Sequence, residues 1–508
     1  MGYLLGCDIG TSGTKTVLFD YKGNTIASAI AEYPLYQPKN GWAEQDPEDW
    51  WQATCTTIAE VLGKSGVTAS EIKGVGLSGQ MHGAVLLDKE NRVLRKAIIW
   101  CDQRSTFECE EITNIIGKER IIEITANPVL TGFTAAKVRW VRNNEPEIYE
   151  KIKKILLPKD YIRFRLTGVF ATEVSDASGM QYMDVPKRCW SKEVISKLDV
   201  DISWLANLYE SVEISAQVSS SGAKQTGLSF GTPVCGGAGD QAAGAVGNGI
   251  VKSGIISSTI GTSGVVFAHS DTVAIDPKGR VHTFCHAVPG AWHVMGVTQG
   301  AGLSLKWFRD NFCIEEKRVA ELLQQDPYFL MDQEAEKIPA GCEGLIYLPY
   351  LMGERTPHLD SNCRGVFFGL SALHTKSHML RAVMEGVGHS LNDCFKIINE
   401  MGISTSETRA SGGGGKSKIW RQMQADMFGT DIVTINSSEG GALGVALLAG
   451  VGTGVYSSVS QACDTCITVV NRQEVNEKNR AIYQKYYPIY NSIYNSLKND
   501  FVNLASIL

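Results

Sequence analysis

The sequence predicts an α/β chain built of two similar lobes, and three observations carry that reading. The pentapeptide Ile-Gly-Thr-Ser-Gly occurs twice, at Ile9–Gly13 and Ile260–Gly264, each time between short apolar runs of strand character. Strand-like and helix-like segments alternate through both halves of the chain. At 508 residues the chain is long enough for two or more domains, each with its own core.

The first lobe opens with a strand ending at Asp8, the turn Gly10-Thr11-Ser12-Gly13-Thr14-Lys15, and a return arm through Val17–Phe19. Glycines let a backbone approach a ligand closely, and successive N–H groups in such a turn form an anion-binding concavity. Asp8 at the strand end could hold a hard cation such as Mg²⁺ against phosphate oxygens. A plain small polar turn is the alternative. The repeat favours phosphate, because each lobe would then present one hairpin to a shared cleft. The turn is not a P-loop, since no Gly-Lys-Ser/Thr stands at the required spacing and no helix follows it. It is not a dinucleotide fingerprint either, for want of Gly-x-Gly-x-x-Gly opening a helix.

Composition narrows the class. The chain is 44% apolar and 20% charged, as in ordinary soluble globular proteins. A net charge of −6 argues against a nucleic-acid-binding surface. The 13 cysteines are odd in number and lack framework spacing, which points to a reduced cytoplasmic setting. Cys463 and Cys466 form a CxxC with no second pair to complete a zinc site. No secretory signal opens the chain. The uncharged stretch from Gly440 to Cys463 is punctuated by glycines and reads as a buried helix, not a membrane span. The oligomeric state is not set by the sequence, and a homodimer stays open.

Further elements follow in order. Asp46-Pro47-Glu48-Asp49 is an N-cap, a first-turn proline and two first-turn acids, predicting a helix to about Gly63. Gly74–Leu77, Ala84–Leu87 and Ala97–Trp100 read as strands. Polar residues cluster where these end, and ligands bind at strand ends in open α/β sheets. Gln80, His82, Asp102 and Arg104 can bond several hydroxyls, while Met81 and Trp100 can pack on a ring or chain. The competing reading makes His82 and Trp100 plain core. Helices are predicted over 134–143, 147–154, 159–166 and 190–198. Pro233–Gly236 is strand-like and leads through a glycine-dense turn to Asp240, which is either a helix N-cap or a catalytic carboxylate in a tight cleft.

The second half repeats the pattern, with a strand at 292–297, a helix at 302–311, a strand at 345–348 and a long helix at 376–400. Thr408-Arg409-Ala410 enters four consecutive glycines, Gly412–Gly415, before a helix through Phe428. That junction suits a flat ligand such as an adenine ring, or else is a flexible loop. The last ~35 residues read as a closing helix.

These pieces together resemble the FGGY carbohydrate kinases over nearly the whole chain. GCDIGTSGTK and STIGTSGVV are similar to the family's two phosphate motifs, and GGGGKSKIW to its adenosine motif. GFTAAKVRWVRNNEPE and LPYLMGERTPHLDSNCRGVFFGLS are similar to its two signatures. LSGQMHGAVLLD carries the Gln-Met-His typical of the family's xylulokinase branch. The resemblance implies two actin- and hexokinase-like (ribonuclease H-like) lobes, each on a mixed five-stranded sheet flanked by helices, with boundaries at 1–248 and 249–508. It implies ATP and Mg²⁺ as cofactors and a small sugar as partner, without nucleic acid or membrane. Carried over by position, Asp240 matches the catalytic base and Asp8 the acid near Mg²⁺. Gly10, Thr11, Ser12, Gly261 and Thr262 match phosphate contacts, with Lys15 beside them. Gly302, Lys306, Gly413 and Gly414 match the nucleotide site, and Met81, His82, Asp240 and Gln241 the sugar site. Gln241 departs from the Asn usual in that branch. The expected reaction is phosphorylation of a ketopentose, D-xylulose at its 5-hydroxyl. The alternatives are L-xylulose, L-ribulose, a deoxy-ketose or gluconate, or a non-catalytic nucleotide switch on the same fold.

Overall fold

The computed structural model describes residues 2–507. In the first half, β1 (Tyr3–Ile9), β2 (Gly13–Phe19) and β3 (Thr25–Glu32) form an antiparallel meander. Helix α1 (Pro47–Ser65) covers it, β4 (Ile72–Gly79) pairs parallel with β1, and β5 (Pro233–Cys235) pairs parallel with β4. Helix α2 (Asp240–Gly247) follows. The second half repeats the plan with β6 (Gly254–Ile260), β7 (Gly264–Ser270) and β8 (Trp292–Thr298) antiparallel. Helices α3 (Ala301–Phe312) and α4 (Lys376–Glu400) lead to β9 (Thr405–Ser411), parallel to β6. Helix α5 (Lys418–Phe428) then leads to β10 (Ile432–Ile435), parallel to β9, before α6 (Gly440–Gly452) and the closing α7 (Glu477–Ala505).

The two sheet cores are therefore β3-β2-β1-β4-β5 and β8-β7-β6-β9-β10, the same mixed five-stranded order. Each gains two short strands to make seven: Ile214–Gln217 and Ala238–Gly239 in the first, His282–Cys285 and Val469–Gln473 in the second. β1 and β4 are buried along most of their length, because helices cover both faces and no alternation of polar residues is required. α1 begins as its sequence dictates: the Asp46 carboxylate accepts from Glu48 N at 3.0 Å, and Gly66 stops the helix in the left-handed region.

Helices α2 and α6 cross where the two halves meet. They approach so closely that a Cβ at Gly247 would stand 1.9 Å from the Gly440 carbonyl, and one at Gly444 1.9 Å from that of Ala243. α6 also lies on the first sheet, where a Cβ at Gly76 would stand 2.0 Å from Val445 O. The uncharged stretch from Gly440 is thus packed against protein, and no helix among the described residues is long and apolar enough to cross a membrane.

Some predicted elements need correction. Residues 147–154 are not a helix. Pro146–Tyr149 makes one turn, and Lys154–Leu156 is a strand against Val85–Leu87, since Ile155 and Leu156 are buried in a sheet pair. Cys189–Trp190 likewise pairs with Met183–Asp184, so the next helix starts at Lys192, capped by Ser191.

Candidate active site

The parallel strands set the site's geometry. Asp8 on β1, Ser78 on β4 and Ala238 stand in register across three adjacent strands. The chain then turns at their common end. Gly237 takes φ +68, with room for no Cβ beside Leu77 O at 2.1 Å, and a Cβ at Gly239 would meet Met81 Cγ at 2.9 Å. The glycine density before Asp240 is the geometric condition for bringing that turn against the 80–82 segment. Gly239 is the helix cap, and no side chain makes a capping hydrogen bond there. The N-cap reading of Asp240 therefore does not hold.

Asp240 lines a cavity of about 200 Å³ together with Met81, His82, Trp100, Phe133 and Gln241 from the first half and Ser263, Met295 and Arg355 from the second. Burial, reinforced by the negative charge of Asp8, raises the Asp240 carboxyl to about 7, against the pull of the Gln241 N–H and amide. Asp8 is itself raised by burial, offset by the Ser78 hydroxyl and Lys15. One of its oxygens, Oδ1, is buried without a hydrogen-bond partner.

His82 stands at φ +70, with Nδ1 3.2 Å from Gly179 O. Nδ1–H is therefore the donor, and Nε2 is left as an acceptor. Burial, then the charges of Lys137, His282 and Arg355, hold the ring neutral far below the usual histidine range. Its carbonyl accepts from Thr134 Oγ1 (3.0 Å) and Lys137 Nζ (2.8 Å), and Lys137 Nζ also reaches Gly132 O at 2.5 Å. The buried Lys137, lowered to about 7 chiefly by desolvation, thus ties together two segments of the cavity wall.

Three residues expected at the sugar lie behind it instead. Gln80 is buried and spends its amide on Gln45 Oε1 (2.7 Å) and Gly10 O (3.4 Å). Asp102 accepts from Ala43 N (2.6 Å) and from Arg104 Nη2 (2.7 Å). Arg104 also donates to Glu44 (2.7 Å) and packs 3.7 Å over the Trp42 ring. Their hydrogen-bonding capacity is consumed within the protein, so they brace the wall. Lys15 pairs with Glu439, joining β2 to the start of α6, and lines neither cavity. Trp100 forms the cavity's exposed lip and donates from Nε1 to Thr11 Oγ1 at 2.9 Å.

A second cavity of about 450 Å³ lies in the second half. It is lined by Gly261, Thr262, Gly302, Lys306, Gly413 and Gly414, with Tyr328, Phe329, Asp332 and Trp420 among its walls. Only part of the glycine run lines the cavity. Gly412 is required by its φ of +73, a Cβ at Gly414 would stand 2.6 Å from the Ile260 side chain, and Gly413 has open space. Gly302 admits no Cβ because its position lies 2.2 Å from Gly261 O. Its N–H and that of Leu303 bind the carbonyls of Gly261 (2.9 Å) and Thr262 (3.0 Å), fixing α3 to the turn.

The two identical pentapeptides do not fold identically. Ile9 pairs with Thr14, whereas Ile260 pairs with Gly264, so the second turn is one residue shorter. Gly10, Thr11 and Ser12 line neither cavity and form a turn held by Tyr33, Gln45 and Gln80. The second turn stands between the cavities: Gly261 and Thr262 face the larger, Ser263 the smaller.

Sequence reasoning missed Arg355, Lys137, Tyr328, Phe329, Asp332 and Trp420. Arg355 and Lys137 were visible as basic residues inside GERTPH and FTAAKVRW. Nothing local marks Tyr328 or Asp332, which reach the cavity only through the packing of Pro327–Glu336.

A repeated α/β lobe, a small cavity with a carboxylate and a larger cavity joined by a glycine-hydroxyl turn define a sugar phosphotransferase of the two-lobed kinase class. Residues 3–247 match the N-terminal domain, and 256–453 the C-terminal domain, of the FGGY family of carbohydrate kinases. The chain belongs to that family. It is 40% identical over 490 residues to a xylulose kinase of Bacillus subtilis (strain 168), covering 96% of each chain. It is 32% identical over 506 residues to a gluconokinase of Bacillus licheniformis, covering 99% of this chain and 98% of the relative. Ligand-bound xylulose kinase from Lactobacillus acidophilus superposes with a TM-score of 0.91 at 28% identity, covering 99% of this chain and 100% of the other. ATP is the phosphate donor of FGGY kinases.

Proposed function

We propose that the protein transfers the γ-phosphoryl group of ATP to the 5-hydroxyl of D-xylulose. The observation that carries this is the second turn, whose consecutive residues face a nucleotide-sized cavity on one side and the Asp240 cavity on the other. A cavity of about 200 Å³ lies below the ~300 Å³ at which drug-sized ligand sites begin, as befits a pentose. Higher identity to the xylulose kinase than to the gluconokinase, and Met81 and His82 at the cavity, support a ketopentose.

In this reading Asp240 accepts the proton of the attacking hydroxyl and aims it in line. His82 Nε2 accepts from a second hydroxyl, Gln241 bonds a third, and Met81 and Trp100 pack on the carbon chain. Gly261 and Thr262 hold phosphate oxygens, while Gly302, Lys306, Gly413 and Gly414 border the nucleoside. Residues 1–248 and 249–508 act as two lobes, and closure brings Gly10, Thr11 and Ser12 onto the γ-phosphate and excludes water. Asp8 fits a Mg²⁺ ion. Its unpaired buried oxygen supplies one hard ligand, and Mg²⁺ fills its shell mostly with waters and substrate phosphates. No group of three or more potential ligand residues exists among the described residues, so this carboxylate would be the protein's share. Bound there, the ion would neutralise phosphate charge.

A coupled ADP-release assay over D-xylulose, L-xylulose, L-ribulose, a deoxy-ketose and gluconate tests the reading. D-Xylulose is expected to give the highest kcat/KM. Gluconate in first place would overturn the substrate, and ADP release indifferent to every sugar would overturn the enzyme.

A further inference from the structure

Arg355 is a half-buried cation in the sugar cavity with no partner. Its guanidinium makes no hydrogen bond and no ion pair among the described residues, yet its neighbours are moored on both sides. The buried Glu354 carboxylate accepts from Thr298 Oγ1 (2.6 Å), Arg355 N (2.7 Å), Gln299 N (2.9 Å) and Ser390 Oγ (3.3 Å). Thr356 N donates to Val297 O at 3.0 Å, and its Oγ1 accepts from Val297 N at 3.1 Å and donates to Arg280 O at 2.8 Å. The backbone that carries Arg355 is therefore fixed to β8 and α4, with the side chain lining the cavity beside Asp240, Gln241 and Ser263.

A guanidinium offers five donors in a planar fork matched to phosphate or carboxylate oxygens. Taking it from water without an acceptor is unfavourable. Burial accordingly lowers its pKa, with only Glu354 opposing. An acceptor must arrive with the ligands. A ketose brings none that is charged, whereas the transferring phosphoryl group brings three oxygens, and Ser263 in the same cavity belongs to the turn that faces the phosphates.

We propose that Arg355 is a further catalytic residue, binding the equatorial oxygens of the phosphoryl group in flight from the second lobe's side. As the sugar oxygen bonds to phosphorus, the bond to the β–γ bridging oxygen breaks, and ADP departs with that electron pair. The hydroxyl proton passes to Asp240. Arg355 neutralises the charge spread over the phosphoryl oxygens and exchanges no proton. This rests on the kinase reading above, though not on which sugar is preferred.

The test is kinetic and structural. Arg355→Ala and Arg355→Lys are assayed with whichever sugar the parent turns over fastest, so failure of D-xylulose as substrate leaves the test intact. Loss of one preorganised charge-stabilising donor lowers kcat by about 10²–10³-fold. Arg355→Ala should lose at least ~10²-fold in kcat with KM for the sugar within about threefold, and added guanidinium ion should restore part of kcat. The unliganded variant should melt no lower than the parent, because an unpaired charge has been removed. A raised sugar KM with kcat intact would make Arg355 a reader of the substrate and overturn the proposal. So would selective loss of a carboxylate-bearing sugar. A lower melting temperature with no rescue by guanidinium would make it structural, which also overturns it.

Discussion

Replacing Asp240 by Asn is expected to make the unliganded protein more stable and nearly inactive at once. The carboxyl normally titrates near 3.8 and in the folded chain is raised to about 7, by burial first and by Asp8 second. A raised carboxyl favours the protonated folded state, so stability is intact below the unfolded value and is lost as pH rises from about 4 to 7. About three units at 1.36 kcal/mol each set a ceiling of about 4 kcal/mol at neutral pH. The partial opening of Asp240 to solvent brings the expected gain for Asp240→Asn to about 2–4 kcal/mol at pH 7.5, falling to about half at pH 5. Urea denaturation of the sugar-free protein at both pH values measures it. Removing a general base lowers kcat by ~10²–10⁴-fold, and the loose transition state of phosphoryl transfer places this case toward the lower end. If Asp240→Asn is no more stable than the parent at pH 7.5, the carboxylate is not desolvated as described. If it keeps most of its kcat, the base lies elsewhere.

Other outcomes follow from the same geometry. His82→Ala removes the free Nε2 acceptor and should raise KM for the sugar roughly 3- to 10-fold, with KM for ATP unchanged. Equal effects on both would refute a sugar contact. His293 is fully buried with neither ring nitrogen hydrogen-bonded to a side chain, stacks on Phe267 at 4.3 Å and is lowered to about 3. It must take up a proton on unfolding below pH 6.5, so the protonation-linked cost of its burial is nil above that value and about 2 kcal/mol at pH 5. The stability of His293→Phe relative to the parent should therefore be greater at pH 5 than at pH 7.5 by about that much in denaturant melts. Gly444→Ala drives a methyl group against the Ala243 carbonyl and should destabilise by roughly 1–3 kcal/mol or more. Gly63→Ala, in helix α1 with nothing near its Cβ, should instead stabilise by up to about 1 kcal/mol. Indistinguishable melts for the two glycine variants would refute the close packing of α2 on α6.

Much of the fold was legible because local rules and tertiary packing agreed. The Asp46-Pro47 start of α1 and the long helix at 376–400 are set by capping and periodicity that the core then uses. Where a segment was decided by its partner, local reading failed: Lys154–Leu156 is a strand only because Val85–Leu87 lies beside it. In the site, Asp240, His82 and Gly413 could be found because each stood in an unusual local composition. Asp102 and Arg104 had the right chemistry, but the Ala43 N–H and Glu44 consume it from 59 and 60 residues away. No sequence pattern reveals which of two polar residues has already been satisfied. The repeat promised two like turns, yet the shorter pairing at Ile260–Gly264 and the anchoring by α3 appear only in three dimensions.

Two groups in the cavity, the raised Asp240 carboxyl and the Arg355 guanidinium, and the buried Asp8 Oδ1 on β1 have hydrogen-bonding or charge requirements that the protein does not fully meet. Each lowers the stability of the empty protein, and each would relax if its partner were supplied elsewhere in the fold. The scaffold fixes the backbone that carries them. Asp8 stands on a registered parallel strand, Asp240 follows the end of another, and the backbone of Arg355 is clamped between Glu354 and Thr356, so none of these backbone positions can shift without breaking several hydrogen bonds. In the proposed reaction the ligands complete the set, an attacking hydroxyl for Asp240 and phosphoryl oxygens for Arg355 and for a cation at Asp8. Interactions withheld from the empty site and realised during transfer are those that raise kcat and do not merely tighten binding. The neutral rings of His82 and His282, which feel the charge of Arg355 without cancelling it, leave that guanidinium available to the arriving anion.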